Sequence, residues 1–157
     1  MEIPGPLPLV GNPPLGFRFG VLFLIGGVLP NPLDILFQKV SGIGSTITTT
    51  TVEEGGQNLY SQLLPKKVQH DNLVLERGLV VGSPLVIEFT AAMSLFKFRP
   101  SNVLVNLLDN TRIPIASWLF LKAYPIKWSV SDLDATSNTV VIEHLELAYQ
   151  RMQSIRL

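Results

Sequence analysis

The sequence predicts a mainly β fold, an antiparallel sandwich or barrel-like body with one α-helix. Three observations carry that expectation. Short apolar runs, several of them alternating with polar residues, are separated by Gly, Pro, Asn and Asp, the signature of strands closed by turn formers. Only residues 83–96 repeat apolar positions at helical spacing. The length of 157 residues suits a single domain with a sizeable core.

Taken in order, residues 1–16 hold five prolines and read as a stiff, extended N-terminal arm. No Lys or Arg precedes Arg18, so the arm lacks the basic start of a secretory signal. Residues 17–25 put Phe17, Phe19, Val21, Phe23 and Ile25 on one face of a strand and Gly20, Leu22 and Leu24 on the other. Both faces are therefore expected to be largely buried. Gly26-Gly27 and Pro30-Asn31-Pro32 break the chain. A second strand is expected at 35–41 and a third in the threonine run, where five of the six residues from Thr46 to Thr51 are threonine. Residues 58–68 read as a loop closed by Pro65, and a strand follows at 68–77, ended by Gly78.

Ser83-Pro84 opens the helix, with serine as N-cap and proline at the first position. Leu85, Phe89, Ala92 and Phe96 form its apolar stripe, and Pro100 stops it. Three more strands fit 102–109, 113–123 and 138–149, with turn chemistry at Asp109-Asn110. Trp118 and Trp128 suit a core or a seam between subunits.

Twelve basic residues balance twelve acidic ones, which gives no footprint for nucleic acid or a membrane surface. Charged residues are 15% of the chain, against about 25% in typical soluble domains, and mean hydropathy is +0.34. Surplus apolar surface of this kind points to subunit interfaces. The longest apolar run, residues 19–29, is far shorter than the ~20 residues of a membrane helix. With no cysteine, disulfides, thiolate metal sites and cysteine nucleophiles are excluded.

Candidate chemistry is sparse. His70 and His144 lie in separate strand segments with no helical His pair, a weak metal signal against the ordinary role of surface strand residues. Asp132 and Asp134 form a loop pair whose turn-forming role is far commoner than acid–base work. The "SGIGST" stretch has no lysine and precedes no helix, so it cradles no phosphate. No nucleophile elbow is present. The expectation is a protein that is not an enzyme and needs neither cofactor nor metal.

The order of motifs is more informative than any one of them. "FQKVSGIG" (37–44), "EEGGQN" (53–58), "LLPKK" (63–67) and "LVLERGL" (73–79) follow at close spacing. After the helix come "NVLVNLLD" (102–109), "SWLFLKAYPIKW" (117–128) and "LDATSNTVVIEHLELAY" (133–149). From about Phe19 to Tyr149 this set resembles the tail-tube family of contractile phages and of phage-derived contractile injection systems.

The resemblance implies a single tail-tube domain over 17–157 with an extended inter-subunit loop at about 44–67. It implies hexameric rings whose strands join into one β-barrel around a lumen, the rings stacking into a hollow conduit. The subunit would be either the main tube protein or the tube initiator at the baseplate. The interface expected from it comprises Thr46, Thr48, Thr49, Thr50, Thr51, Glu53, Glu54, Gly55, Gly56, Asn58, Lys66 and Lys67. The four charged residues among these fit either plain solvation or electrostatic matching between copies. Implied partners are further copies of the chain, adjacent rings, sheath and baseplate or spike proteins. The implied location is a virion tail or an injection particle assembled in the bacterial cytoplasm. The competing reading is a monomeric β-rich module that binds a small ligand or peptide.

Overall fold

The computed structural model describes residues 18–24, 37–53, 55–56 and 59–156. The expected proline-rich arm and the breaks at 26–32 lie outside them. The elements are β1 (Phe19–Leu24), β2 (Lys39–Ser41), β3 (Ser45–Val52), β4 (Gln62–His70), β5 (Leu73–Gly78), α1 (Pro84–Leu95), β6 (Ser101–Leu108), β7 (Pro114–Val130), β8 (Ile142–Ala148) and β9 (Arg151–Arg156). All strand pairs are antiparallel, as the class expectation requires.

One strand organises the body. The first half of β7 pairs with β6 and β9, and its second half pairs with β8. The order β1-β6-β7-β9 therefore makes one layer, and β7-β8-β5-β2 makes the other. The handover falls where Lys122 takes a positive φ of 53° and the register slips between Pro125 and Lys127. Irregularities of this kind redirect a strand. Asn102 helps to hold the corner by accepting the Lys122 amide at 3.1 Å through its side-chain oxygen.

The core lies between the layers. Val21, Phe23, Val103, Val105 and Phe120 come from the first, and Leu73, Leu75, Leu145 and Leu147 from the second. Their i, i+2 spacing is the inward half of each strand's alternation. Leu85 and Phe89 of α1 join the same cluster. Proline at the helix start is accommodated, but Ser83 makes no side-chain cap bond. Its hydroxyl instead accepts a hydrogen bond from an Arg77 guanidinium nitrogen at 3.0 Å. The helix ends at Leu95, before Pro100, with Phe96 as a left-handed cap.

Several expectations are corrected. Residues 62–70, expected as loop and strand start, form the continuous strand β4. Pro65 is tolerated because the ladder is irregular there, its register shifting between Thr48 and Thr49. The single strand expected over 68–77 is two, broken at Asp71-Asn72. β7 runs on to Val130, β8 begins only at Ile142, and β9 was not anticipated. In β1, Val21 and Phe23 are buried, yet Leu22 is only half-buried and Leu24 is exposed. One face of that strand is free, not both buried.

The Asp109 turn is as expected. Its carboxylate accepts the amides of Thr111 at 2.7 Å and Ile113 at 2.9 Å. These bonds, with that from the Thr111 hydroxyl, hold its pKa below the usual carboxylate value.

Candidate functional site

The feature left over once the core is built is the hairpin β3–β4. Its strands pair with each other and with no other described strand. Every described residue from Thr49 to Gln69 is exposed. An isolated two-stranded ribbon is marginal in water, and this one presents unpaired backbone on both outer edges.

Register sorts its side chains into two faces. Ser45, Ile47, Thr49 and Thr51 stand opposite His70, Val68, Pro65 and Leu63. Thr46, Thr48, Thr50 and Val52 stand opposite Gln69, Lys67, Leu64 and Gln62. Beyond the polar Ser45–His70 rung at its root, the first face is therefore aliphatic, with threonine methyls filling the gaps, and the second is mainly polar. Exposed apolar residues continue to the tip, where Leu59 is 91% and Tyr60 61% exposed. Such a surface awaits a partner more readily than water.

The expected interface residues fall on this ribbon. Thr46, Thr49, Thr50 and Thr51 are exposed, while Thr48 is half-buried and donates its hydroxyl to the Lys67 carbonyl at 3.1 Å. Gly55 and Gly56 form the turn at the tip, and Gly56 takes a φ of +97°. Glu53 follows the last rung, whereas Lys67 sits at the Thr48 rung and Lys66 at the register shift. The structure therefore does not bring these charges together. Glu54 and Asn58 lie outside the described residues.

The ribbon's root is built for a fixed exit. Gly42 adopts φ +80°, and a Cβ there would overlap the Asn72 carbonyl oxygen. The Gly44 carbonyl accepts the Asp71 amide at 3.2 Å and the Tyr149 hydroxyl at 3.5 Å. His70 Nδ1 meets the Ser45 hydroxyl at 2.7 Å, and its ring packs 5.2 Å from that of Tyr149. Burial, and then the Asp71 charge, raises the Tyr149 pKa. Gly42→Ala should cost about 1–3 kcal/mol and weaken assembly by misaiming the ribbon. Denaturant midpoints and sedimentation of the variant would check both effects.

Sequence reasoning passed over a second constellation. Arg77 is 1% exposed and Glu143 is fully buried. Arg77 Nε donates to Glu143 Oε2 at 2.8 Å, and the indole Nε1 of Trp128 donates to Oε1 at 2.7 Å. The guanidinium also lies 5.4 Å from the centre of the Phe37 ring. This network ties β5, β8, the end of β7 and the start of α1 together. Alternation was the available signal, because Arg77 continues the inward set Leu73, Leu75 and Glu143 begins the set Leu145, Leu147.

Of the other candidates, His144 Nδ1 lies 3.7 Å from Glu76, which also binds Lys39 at 3.0 Å. Asp134 accepts the Thr136 amide and hydroxyl, a turn role. Hydrogen bonds from Thr136, the hydroxyl first, lower the Asp134 pKa. Trp118 packs against the core, while Trp128 is partly exposed. Among the described residues no group of three His, Asp or Glu could hold a metal. Among them, too, no helix is long and apolar enough to cross a membrane.

Comparison with known proteins fits this geometry. A chain in the cryo-EM structure of the anti-feeding prophage (AFP) baseplate, 6-fold symmetrised, is 38% identical, with a TM-score of 0.86 over 94% of this chain and 98% of that one. A chain in the PVC sheath-tube complex of an extracellular contractile injection system, in the extended state, is 21% identical, with a TM-score of 0.78 over 94% and 95%. Hcp1 from Flavobacterium johnsoniae shares the fold at 11% identity, with a TM-score of 0.52 over 88% and 94%. Comparison with curated proteins gives no match. The model of the T4-like virus tail tube protein gp19 family matches residues 15–153. The chain belongs to that family and is a structural tube subunit of a contractile tail or injection system.

Proposed function

We propose that six copies of the chain close into a ring by joining their β1-β6-β7-β9 layers edge to edge, and that rings stack into a hollow conduit. The observation that carries this reading is the state of that layer's two ends. Among the described residues β1 pairs only with β6 and β9 only with β7, so two strand edges await partners. Parity favours closure. Four antiparallel strands leave β9 of one copy antiparallel to β1 of the next when copies are related by rotation, so the barrel closes without a mismatched pair.

The second layer and α1 lie on one side of this sheet, and six such bodies fit on the outside of a barrel, not within it. The other face then meets the lumen. Rows such as Leu22–Leu104–Leu119 and Gly20–Asn106–Ser117 line it, which makes a smooth surface without carboxylates in those rows. Ribbon residues Thr46–Thr51, Glu53 and Lys66–Lys67 then contact neighbouring copies. The role is mechanical, with no catalysis and no cofactor, in a particle assembled in the bacterial cytoplasm.

Within the tail we place the chain in the first ring, at the baseplate. The 38% identity to a chain of a baseplate structure, against 21% to a chain of a sheath-tube complex, supports that position. Native mass spectrometry of the purified chain should give a species six times the 17.3 kDa subunit. A monomer at every concentration would instead favour the ligand-binding module.

A further inference from the structure

Beside α1 the chain carries an apolar groove. Between α1 and the bend of β7 lies a groove of about 290 Å³, lined by Ile87, Phe89, Ala92, Lys97, Arg99 and Pro125 among others. An aromatic series alternates in sequence with its lining residues Lys97, Arg99, Ala123 and Pro125. The Phe96 and Phe98 rings lie 4.9 Å apart, and those of Phe98 and Tyr124 lie 5.9 Å apart. All three residues are exposed, Phe96 to 83%. On α1 itself Ile87, Met93 and Leu95, spread around the helix, are also exposed. A helix that is apolar around most of its circumference is built to be covered on more than one side.

Charge identifies what covers it. Lys97 and Arg99 stand at the groove with no side-chain partner among the described residues, and Glu88 is already engaged. The ribbon tip has the complementary character, with exposed Glu53 beside exposed Leu59 and Tyr60. We infer that the ribbon tip of one copy docks in the α1 groove of a neighbouring copy, Glu53 facing Lys97 and Arg99 and Leu59 and Tyr60 covering the aromatic run. This rests on the ring reading above, and it names the surface that the ribbon grips. Reach is sufficient. Eight residues of strand extend about 27 Å, whereas a domain of this size has a radius of gyration near ~15 Å.

Since the chain has no cysteine, introduced thiols report contacts without background. Leu59→Cys copies assembled together with Ile87→Cys copies should give, on oxidation, a disulfide-linked pair that neither variant forms alone. Glu53→Lys should lower the yield of that pair about tenfold, because like charges placed opposite cost affinity. Lys97→Glu with Arg99→Glu should do the same, and the three substitutions combined in one chain should restore it. Rings that assemble without a cross-link would overturn this inference and leave the ring reading standing, with another partner in the groove. A chain that never assembles would overturn both.

Discussion

Arg77→Met should destabilise the subunit by about 3–5 kcal/mol, the range expected when one member of a buried ion pair is removed. Glu143 has no exposure at all. Without the guanidinium at 2.8 Å, its carboxylate keeps, among the described residues, the indole hydrogen bond of Trp128. The cost is that of an uncompensated buried charge, not of a lost contact. Arg77→Met combined with Glu143→Leu should therefore recover much of the loss, because a well-packed apolar pair is often neutral against a buried ion pair. Denaturant midpoints, read where the protein is monomeric so that assembly does not contribute, would measure both. A loss below about 1 kcal/mol for the single variant, the range of an exposed pair, would contradict the assignment. The network has a further consequence for shape. It draws Ser83, at the start of α1, onto the β5–β8 pair, so its loss should also displace the helix that borders the groove.

Removing the ribbon should have the opposite profile, with folding intact and assembly abolished. Among the described residues, none of the buried core lies between 45 and 70. Among the described residues the strands concerned pair only with each other, so replacing residues 46–69 by a short Gly-Ser linker removes no described part of the sandwich. Circular dichroism should still report a folded β protein, while rings and stacks should disappear from electron micrographs. Because the free ribbon exposes Ile47, Leu63, Leu64 and Val68, the shortened chain should also be more soluble as a monomer. Loss of folding would place the ribbon in the subunit's own architecture. Normal rings would make it a solvated appendage.

The sequence was legible where burial writes a pattern. Proline after Ser83 and Asp109 at a turn each led to the element that forms, and the apolar residues around Leu75 and Leu145 led to strands whose ends differ from those expected. It was illegible where burial is absent or register slips. β4 is exposed along nearly its whole length, so no apolar period marks it, and Pro65 with its displaced neighbour Lys66 looks like a loop. β9 offers the core only Met152, one residue in a strand of six. The far half of β7 is hidden because Pro125 and a register slip interrupt it. The proposed interface shows the same division. The threonine run and its glycines were visible as a ribbon, since β-branched residues between turn formers have few other uses. The α1 groove proposed to receive it was not visible. It is assembled from α1, the segment after it and β7, and the residues that pair across it are remote in sequence. Arg77 and Glu143 stand 66 residues apart and were missed for the same reason.

A cryo-EM map of the assembled chain tests the ring arrangement most directly. The expected map shows a six-fold ring in which β9 of each copy runs antiparallel beside β1 of the next, with the face bearing Leu22, Leu104 and Leu119 toward the lumen and the β3–β4 ribbon against another copy. A ring in which β1 and β9 both remain unpaired edges, or in which that face points outward, would contradict it.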